Sequence, residues 1–390
     1  MRGDRRSRYH FPWREGNRFE LLEDGDEFFP RMLDAISSAQ SFVLLEIYLI
    51  ESGAVADRFI GSLISAAEKG IQIYISFDDF GSIGLNDADR KRLVRKNIHT
   101  AFYNPVRYRE FFQNFHRDHR KLLIIDGAVA YVGGTGIADQ FDPPKHAERK
   151  WRETMVEVTG PIVRDWQTLF KDAWCHLSSV EIEEKTTIDQ SPLEEGALGR
   201  VVISGEASAH EISRSLIKRI RNAESRIWFA TAYFIPSWKL RRALIKAAKR
   251  GIEVRLLLPG KFTDHPGIRH AGRRFYSRLL RHGIKIFEFQ PRFLHSKTVI
   301  CDDWVSIGSS NMDRWGLRWN LEANQEINDE DFSQQVQEMF LKDFLESDEF
   351  TYESWRHRPW HRRLMEWYWG RVDQLLERLN SRHWKHYAKF

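Results

Sequence analysis

The sequence contains only two cysteines in 390 residues, Cys175 and Cys301. Two thiols cannot form a disulfide framework, and no group of His and Cys has zinc-site spacing, so nothing requires an oxidising compartment or a structural metal. No run of about 20 uninterrupted apolar residues occurs, which argues against a membrane-spanning helix. Residues 1–14 carry five arginines without an apolar segment, unlike a secretory signal peptide. We therefore expect a globular protein in a reducing cytoplasm.

The positive charge of the chain is concentrated at its C-terminus. The net charge is +5, and residues 351–390 hold nine Lys and Arg against four Asp and Glu, with five of the fourteen tryptophans. After Pro359, apolar residues recur at helical spacing opposite arginines: Trp360, Leu364, Trp367, Val372, Leu375 and Leu379 against Arg362, Arg363, Arg371 and Arg378. This pattern predicts an amphipathic helix in the interface of an anionic membrane or, alternatively, a helix docked on its own domain with a solvated basic face.

An internal repeat organises the rest of the chain. The segment ISSAQS at 36–41 resembles IRNAES at 220–225, and ISAAEKGI at 64–71 resembles IKAAKRGI at 245–252. Two pairs of similar segments separated by nearly the same number of residues indicate a domain that is encoded twice.

Each half alternates helical and strand patterns, which predicts an α/β fold with helices on both faces of a sheet. In the first half we predict helices near 26–40, 54–69 and 86–96 and strands near 42–50, 71–78 and 98–103. The predicted organisation is a basic arm over 1–15, a first domain over 16–178, an acidic polar linker over 179–199, a second domain over 200–350 and the tail over 351–390.

The pattern His-x-Lys-x-x-x-x-Asp occurs twice, as His119, Lys121 and Asp126 and as His295, Lys297 and Asp302. Each copy precedes a small-residue turn, GGT at 133–135 and GSSN at 308–311. A His and a Lys two residues apart lie on one side of an extended strand. Phosphodiester exchange needs a nucleophile, a proton donor and cations for the developing charge, which two imidazoles and two lysines supply.

The aspartates complete the candidate catalytic set, but Asp126 and Asp302 fall at the far end of each strand. Their position favours a structural role in a turn over a chemical one. Each domain supplies half a site, so a pseudo-twofold axis between the halves would bring His119 and His295 together.

On these motifs the chain resembles the phospholipase D superfamily, and more closely the short bacterial cardiolipin synthases that lack the two N-terminal transmembrane helices of longer relatives. The resemblance runs from about Gly16 to residue 348. Supporting stretches are FELL at 19–22, HRKL at 119–122, WRET at 151–154 and NLEAN at 320–324. It implies two tandem phospholipase D-like domains related by a pseudo-twofold axis, each a mixed sheet flanked by helices, followed here by the C-terminal amphipathic helix.

The resemblance also implies a mechanism. His119 attacks the phosphorus of a phospholipid to form a phosphatidyl-histidine, and His295 protonates the departing alcohol. A second alcohol then completes the exchange. Glu153 and Glu322 stand at the family's acidic positions, where a carboxylate orients each imidazole. No metal and no cofactor are implied.

The expected phosphate ligands are the two lysines together with Ser309 and Asn311. The first motif departs from the family here, since Gly136 stands where its turn usually ends in Asn. Backbone amides of Gly134 to Gly136 would then replace the missing side chain.

Several functions share these residues. We expect a cardiolipin synthase-type transferase that uses phosphatidylglycerol or phosphatidylethanolamine, with a phospholipase D, a superfamily nuclease and a membrane-binding scaffold as alternatives. Nucleic acid is disfavoured because the positive charge lies in a Trp-rich tail rather than along a groove. The expected partners are phospholipids and an anionic membrane surface, and the expected location is the cytoplasmic face of a bacterial inner membrane. The sequence leaves the oligomeric state open.

Two more clusters have an ordinary structural explanation. His116 and Asp118 beside the first motif suggest a metal site, but a loop that enters the strand explains them better. Arginines at 269, 273, 274, 278 and 281, interleaved with apolar residues, predict an amphipathic surface helix, with a headgroup-binding rim as the alternative.

Overall fold

The computed structural model describes residues 9–107, 113–142, 150–183, 191–205, 210–314 and 316–387. The strands are β1 Arg14–Glu23, β2 Phe42–Ile47, β3 Gln72–Asp78, β4 Ile98–Tyr103, β5 Lys121–Ile125, β6 Val129–Gly133, β7 Thr154–Thr159, β8 Ala197–Ser204, β9 Arg226–Ala230, β10 Phe234–Ile235, β11 Glu253–Pro259, β12 Lys285–Phe289, β13 Thr298–Cys301, β14 Trp304–Gly308, β15 Met312–Asp313, β16 Glu322–Asn328 and β17 Ser347–Phe350. The helices are α1 Gly25–Ser37, α2 Ala54–Glu68, α3 Asp87–Arg92, α4 Val163–Leu177, α5 Glu211–Asn222, α6 Trp238–Lys249, α7 Pro266–Arg273, α8 Tyr276–Leu280, α9 Gly316–Trp319, α10 Glu330–Leu345, α11 Tyr352–Arg356 and α12 Trp360–Tyr387. A short 3-10 turn covers Gln113–Phe115.

Strand order shows the duplication. Fifteen of the strands follow one another in the order β4-β3-β2-β5-β6-β7-β1 and then β8-β16-β14-β13-β9-β11-β12-β17. The first seven correspond to the next seven in reverse, and β1 and β8 meet antiparallel between the halves. This arrangement confirms the prediction of two tandem α/β domains with mixed sheets.

The alternation of side chains along the strands divides the core. Phe42 and Leu44 of β2 belong to a cluster that both halves share, whereas Val43 and Leu45 face the helices of the first half. Helices α4 and α10 contribute large apolar side chains to this shared cluster. Because successive strand residues point to opposite faces, one apolar strand lines both cores.

The repeated AAEKGI and AAKRGI segments end helices α2 and α6 in the same way. Gly70 and Gly251 have φ of 91° and 90°, a left-handed conformation that glycine adopts at little cost. The amide of Ile71 donates to the Ala66 carbonyl at 3.2 Å, and Ile252 donates to its equivalent at the same distance. This pattern is a Schellman cap, so the repeat conserves a helix end rather than a site.

The predicted elements of the first half are confirmed, with helices one to five residues shorter than their sequence patterns. The domain boundaries stay a prediction. Strand β8 begins at Ala197, inside the predicted linker, and β1 begins at Arg14, inside the predicted arm. Residues 1–8 of that arm lie outside the described part of the chain.

The predicted amphipathic surface helix at 269–281 is divided in the structure, and one of its arginines is buried. Two short helices, α7 and α8, occupy this segment, and Arg273 is buried against Glu288 at 3.0 Å. Arg269 binds the same carboxylate at 2.6 Å. The helical period could not reveal the buried acid on β12 that draws these arginines inward. Within the described residues, no helix is both long enough and apolar enough to cross a membrane.

Candidate active site

The strand register places both motifs at the same end of their domains. Lys121, the first residue of β5, lies opposite Ile47, the last residue of β2. Likewise Thr298, the first residue of β13, lies opposite Ala230 at the end of β9. Each histidine therefore stands where the parallel strands of its half end, which is where open α/β sheets bind ligands.

Backbone contacts join the two motif ends across the domain interface. The His119 amide donates to the Leu321 carbonyl at 2.9 Å, and the His295 amide donates to the Arg152 carbonyl at 2.8 Å. Leu321 and Arg152 each precede one of the two predicted carboxylates, Glu322 and Glu153. The fold therefore ties each histidine to the segment of the other domain that carries a glutamate.

The side chains repeat this crossed arrangement. Nδ1 of His119 lies 3.0 Å from Oε2 of Glu322, and Nδ1 of His295 lies 2.5 Å from Oε2 of Glu153. Each carboxylate accepts a hydrogen bond from Nδ1–H of its histidine, and this contact assigns the proton to Nδ1. Nε2 of each neutral ring therefore keeps its lone pair. The sequence had suggested both carboxylates as orienting groups. That each comes from the opposite domain is a result of the structure.

The two lysines are buried beside the imidazoles. Nζ of Lys121 donates to the His119 carbonyl at 2.5 Å, and Nζ of Lys297 lies 2.8 Å from Nδ1 and 3.1 Å from Nε2 of His295. Burial lowers the pKa of Lys121 to about 7 and also lowers the pKa of Lys297. Desolvation disfavours a buried ammonium, and a phosphate anion beside these lysines would stabilise their charged forms.

Burial also sets the charge of the other groups. It lowers the pKa of His119, and it lowers that of His295 well below the usual value with help from the Lys297 charge. It raises the pKa of Glu153 to about 7. Both imidazoles are therefore neutral near pH 7, the form in which a histidine can act as a nucleophile or base.

The motif aspartates lie at the other end of the strands and do not reach the site. Asp126 has φ 55° and accepts the amides of Gln40, Ser41 and Phe42 at 2.7–2.9 Å. Asp302 has φ 52° and accepts three equivalent amides at 2.8–3.0 Å. Each carboxylate fixes a turn to the start of a neighbouring strand, so the structure does not place Asp126 and Asp302 in the catalytic set.

Ser309, predicted to bind phosphate, is already engaged with a carboxylate. Its hydroxyl donates to Oε2 of Glu322, the same atom that His119 binds, and it accepts the Ala323 amide at 3.1 Å. Ser309 therefore positions the partner of His119. The predicted contact of Ser309 with phosphate stays a prediction.

The other predicted phosphate ligands are buried near the motifs. Asn311 accepts the Thr231 hydroxyl through Oδ1 at 3.4 Å, and among the described residues no partner is recorded for its amide nitrogen. Gly134 faces Glu153, since a Cβ there would lie 2.6 Å from both carboxylate oxygens. At Gly136 a Cβ would lie 2.8 Å from the Leu49 carbonyl oxygen, so the turn of the first motif has no room for the usual Asn. The phosphate contacts of Asn311 and Gly134 stay a prediction.

Aromatic side chains around the site were not singled out from the sequence. The ring of Tyr48 meets His119 edge-on at 4.8 Å between centroids and lies 4.9 Å from the Lys121 ammonium. Trp151 and Phe141 lie 5.0 and 5.6 Å from the His295 ring. The sequence contained two signals for these aromatic residues. Tyr48 directly follows strand β2, and Trp151 stands two residues before Glu153.

The residues beside the first motif are engaged in hydrogen bonds. Nδ1 of His116 lies 3.2 Å from the Trp319 carbonyl, and Asp118 binds the Arg120 guanidinium at 3.0 Å. Arg120 also meets Glu46 of β2 at 2.8 Å, and burial raises the pKa of that carboxyl well above its usual value. Among the described residues, no three His, Cys, Asp or Glu side chains are grouped to hold a metal ion.

Known proteins share both the sequence pattern and the fold. A family model described as "Cardiolipin synthase, PLD-like domain" matches residues 32–174 and 216–344. A cardiolipin synthase A of Pseudomonas aeruginosa is 33% identical over 349 residues, which cover 88% of this chain and 70% of that protein. A probable cardiolipin synthase of Bacillus subtilis is 29% identical over 335 residues, or 85% of this chain and 67% of that one.

Solved structures agree on the fold. Phosphatidylserine synthase from Haemophilus influenzae superposes with a TM-score of 0.71 at 12% identity, over 93% of each chain. Polyphosphate kinase from Porphyromonas gingivalis gives a TM-score of 0.59 at 15% identity, over 86% of this chain and 49% of that one. With the family model matched twice along its length, the chain belongs to the cardiolipin synthase family of phospholipase D-like proteins.

Proposed function

We propose that this protein is a phosphatidyltransferase that moves a phosphatidyl group from phosphatidylglycerol to the headgroup hydroxyl of a second phospholipid, yielding cardiolipin and glycerol. One observation carries the proposal: two imidazoles, each oriented by a carboxylate of the other domain, lie beside two buried lysines. The names of the relatives support the same substrate class.

In the first step, Nε2 of His119 attacks the phosphorus and the bond to the glycerol oxygen breaks. The leaving oxygen takes a proton from the His295 imidazolium, which must therefore bind its proton once the anionic substrate is present. Lys121, Lys297 and the Asn311 amide hold the non-bridging oxygens while negative charge accumulates on them. The product is a phosphatidyl-histidine and free glycerol.

In the second step, the hydroxyl of the second lipid gives its proton to neutral His295 and attacks the same phosphorus. The bond between phosphorus and Nε2 breaks, which restores His119. One imidazole thus serves as acid and then as base, as reversal of the first step requires. Glu322 and Glu153 keep both rings in position and stabilise their positive forms.

The apolar surroundings of His295 support transfer over hydrolysis. Trp151, Phe141 and Phe293 surround this imidazole with ring centroids 5.0–5.7 Å away. A lipid headgroup that binds against these aromatic rings must displace water from them. The excluded water then cannot compete with the second lipid for the phosphatidyl-histidine intermediate. Because both substrates are lipids, we propose that the enzyme works peripherally on a membrane, at the cytoplasmic face of a bacterial inner membrane.

The test is to incubate the purified protein with phosphatidylglycerol in mixed micelles and to resolve the products by mass. Cardiolipin and glycerol should form, and His119→Ala and His295→Ala should each abolish them. Phosphatidic acid without cardiolipin would overturn the transferase proposal in favour of hydrolysis. Phosphatidylethanolamine as the second lipid would reveal whether the acceptor must be a glycerol headgroup.

A further inference from the structure

The C-terminal helix α12 contacts the protein through its charged side. Asp373 binds the guanidinium groups of Arg274 and Arg314 at 2.5 and 2.8 Å, and Glu366 binds Arg358 at 2.8 Å. The Gly370 carbonyl accepts from Arg274 at 2.6 Å. Ion pairs of buried acidic side chains, together with Trp369 packed against α7, hold this helix to the second domain.

The side of α12 that faces away from the protein carries large apolar side chains. Trp360 is 75% exposed and Trp367 is 58% exposed, and four further large side chains are exposed along the same helix: Leu364, Met365, Tyr368 and Leu375. A helix docked on a soluble domain normally turns its apolar stripe inward and its charges outward. Here Asp373 and Glu366 face inward, while large apolar side chains face outward beside the exposed Arg363 and Arg371. The helix is therefore docked on its own domain, as one alternative predicted, but it leaves its apolar side chains exposed. Such a helix calls for an apolar or interfacial medium on its outer side.

Exposed apolar side chains also mark two loops beside the active site. Phe80 and Ile83 follow the end of β3, and Ile83 is 64% exposed. Phe262 follows the end of β11 and is exposed as well. Since β3 runs parallel to β2 and β11 parallel to β9, both loops stand at the strand ends that carry the motif histidines.

Helix α12 lies next to one of these loops. Helix α7 begins four residues after Phe262, and a Cβ at Gly267 of α7 would lie 2.8 Å from the Trp369 ring. The outer side of α12 and the two loops therefore belong to the end of the molecule at which the site opens. We call this surface the docking face: the exposed side chains at 80, 83, 262, 360, 364, 367, 368 and 375.

We propose that the docking face inserts into the interface of an anionic lipid bilayer and turns the mouth of the active site toward the lipid. Trp and Tyr prefer the headgroup boundary, and exposed Arg363 and Arg371 on the same helix complement anionic lipid. Arg371 lies over the Trp367 ring at 5.5 Å, so aromatic and cationic groups are presented together. Separate apolar side chains on loops and a helix suit a fluid surface better than a preformed protein groove. Docking does not depend on the proposed reaction, although that reaction explains why the site opens here.

Substitutions at exposed positions test the docking face without disturbing the core. The helix variant combines Trp360→Ser, Leu364→Ser and Trp367→Ser, and the loop variant combines Phe80→Ser with Phe262→Ser. Removing a large interfacial side chain should weaken partitioning about tenfold, hence about a thousandfold for three. Val94→Ser is the control, because Val94 is 74% exposed but precedes β4, which runs parallel to β3, and therefore lies at the opposite end of these strands from the Phe80 loop.

The measurement is flotation of the full chain with vesicles of phosphatidylglycerol and phosphatidylcholine. The wild type and the Val94→Ser variant should float, and both docking variants should remain in the buffer. Vesicle binding that survives both sets of substitutions, or that Val94→Ser abolishes equally, would overturn the proposal. So would light scattering that shows a dimer which the helix variant dissociates, because a second copy would then cover this face.

Activity on short-chain phosphatidylglycerol, dispersed as single molecules, separates docking from chemistry. If docking alone is lost, the helix and loop variants should keep wild-type turnover of this substrate and lose it on vesicles. A wild type that floats but converts no lipid would leave docking intact and refute the proposed function. A helix variant that loses short-chain turnover while circular dichroism shows native folding would refute the docking role.

Discussion

Ser309→Ala should slow the reaction by acting through Glu322. The Ser309 hydroxyl donates to Oε2 of Glu322, the atom that also accepts from His119. A hydrogen bond to a charged acceptor contributes about 1.5–3 kcal/mol, which corresponds to roughly 10- to 150-fold in rate if it is expressed fully in the transition state. We expect kcat to fall within this range while KM changes little, because the hydroxyl touches a carboxylate rather than the substrate.

The matched control is Ser310→Ala. The Ser310 hydroxyl is buried and, among the described residues, has no hydrogen-bond partner. Its removal should therefore leave both kcat and stability nearly unchanged. Because the Ser309 side chain also accepts the Ala323 amide, thermal unfolding of both variants must be measured beside their kinetics.

A double-mutant cycle with Glu322→Gln decides how Ser309 acts. If Ser309 only positions this carboxylate, Ser309→Ala should cost little in the Glu322→Gln background. The pH profile of kcat should also shift in Ser309→Ala, since His119 loses part of its fixed partner. Full additivity, an unchanged pH profile and a raised KM would refute this reasoning and return Ser309 to the role of phosphate ligand.

Three more outcomes follow from the geometry. His295→Ala should turn over phosphatidylglycerol about 10² to 10⁴ times more slowly but should still release nitrophenol from a nitrophenyl-activated donor. His119→Ala should fail with both donors. The reverse pattern would exchange the roles of the two histidines. Asp126→Ala should lower the free energy of unfolding by roughly 2–4 kcal/mol, because three amides lose their acceptor. The folded variant should keep the wild-type kcat. A lower kcat at native stability would contradict this prediction. Burial raises the pKa of Glu153 from 4.5 to about 7, so ionisation of this carboxyl opposes folding. In denaturant titrations, Glu153→Gln should therefore gain stability over the wild type as the pH rises from about 5 to 7, on the order of 3 kcal/mol. An equal difference in the free energy of unfolding at pH 5 and at pH 8 would argue against this prediction.

The sequence was sufficient for the architecture because local signals agreed with the global fold. Apolar runs that start at Phe42 and Ile227 became buried strands, and the repeated glycine at the end of α2 and α6 became a Schellman cap. The burial of Arg273 in the segment at 269–281 was not predicted, because a periodic arginine pattern carries no information about a buried partner. Glu288 on β12 is distant along the helix pattern, and only tertiary packing brings it beneath α7.

The site was less predictable than the motifs that mark it. His119, Lys121 and their second copies were placed by spacing alone, since two residues along a strand share a side. The pairing of each histidine with the glutamate of the other domain needed the contact between Leu321 and His119, which no local pattern encodes. The aromatic groups around His295 come from three separate segments, so their convergence also lies beyond a reading along the chain.

The crossed pairing has an evolutionary consequence. An ancestral single-domain protein with one histidine and one glutamate could complete this site only as a symmetric pair of chains, each supplying the acid that orients the partner's base. Fusion of two copies would then have released the halves from identity. Ser309 now corresponds in sequence position to Gly134, and Asn311 corresponds to Gly136. Such divergence lets one imidazole specialise as nucleophile and the other as proton carrier, which an exact dimer cannot do.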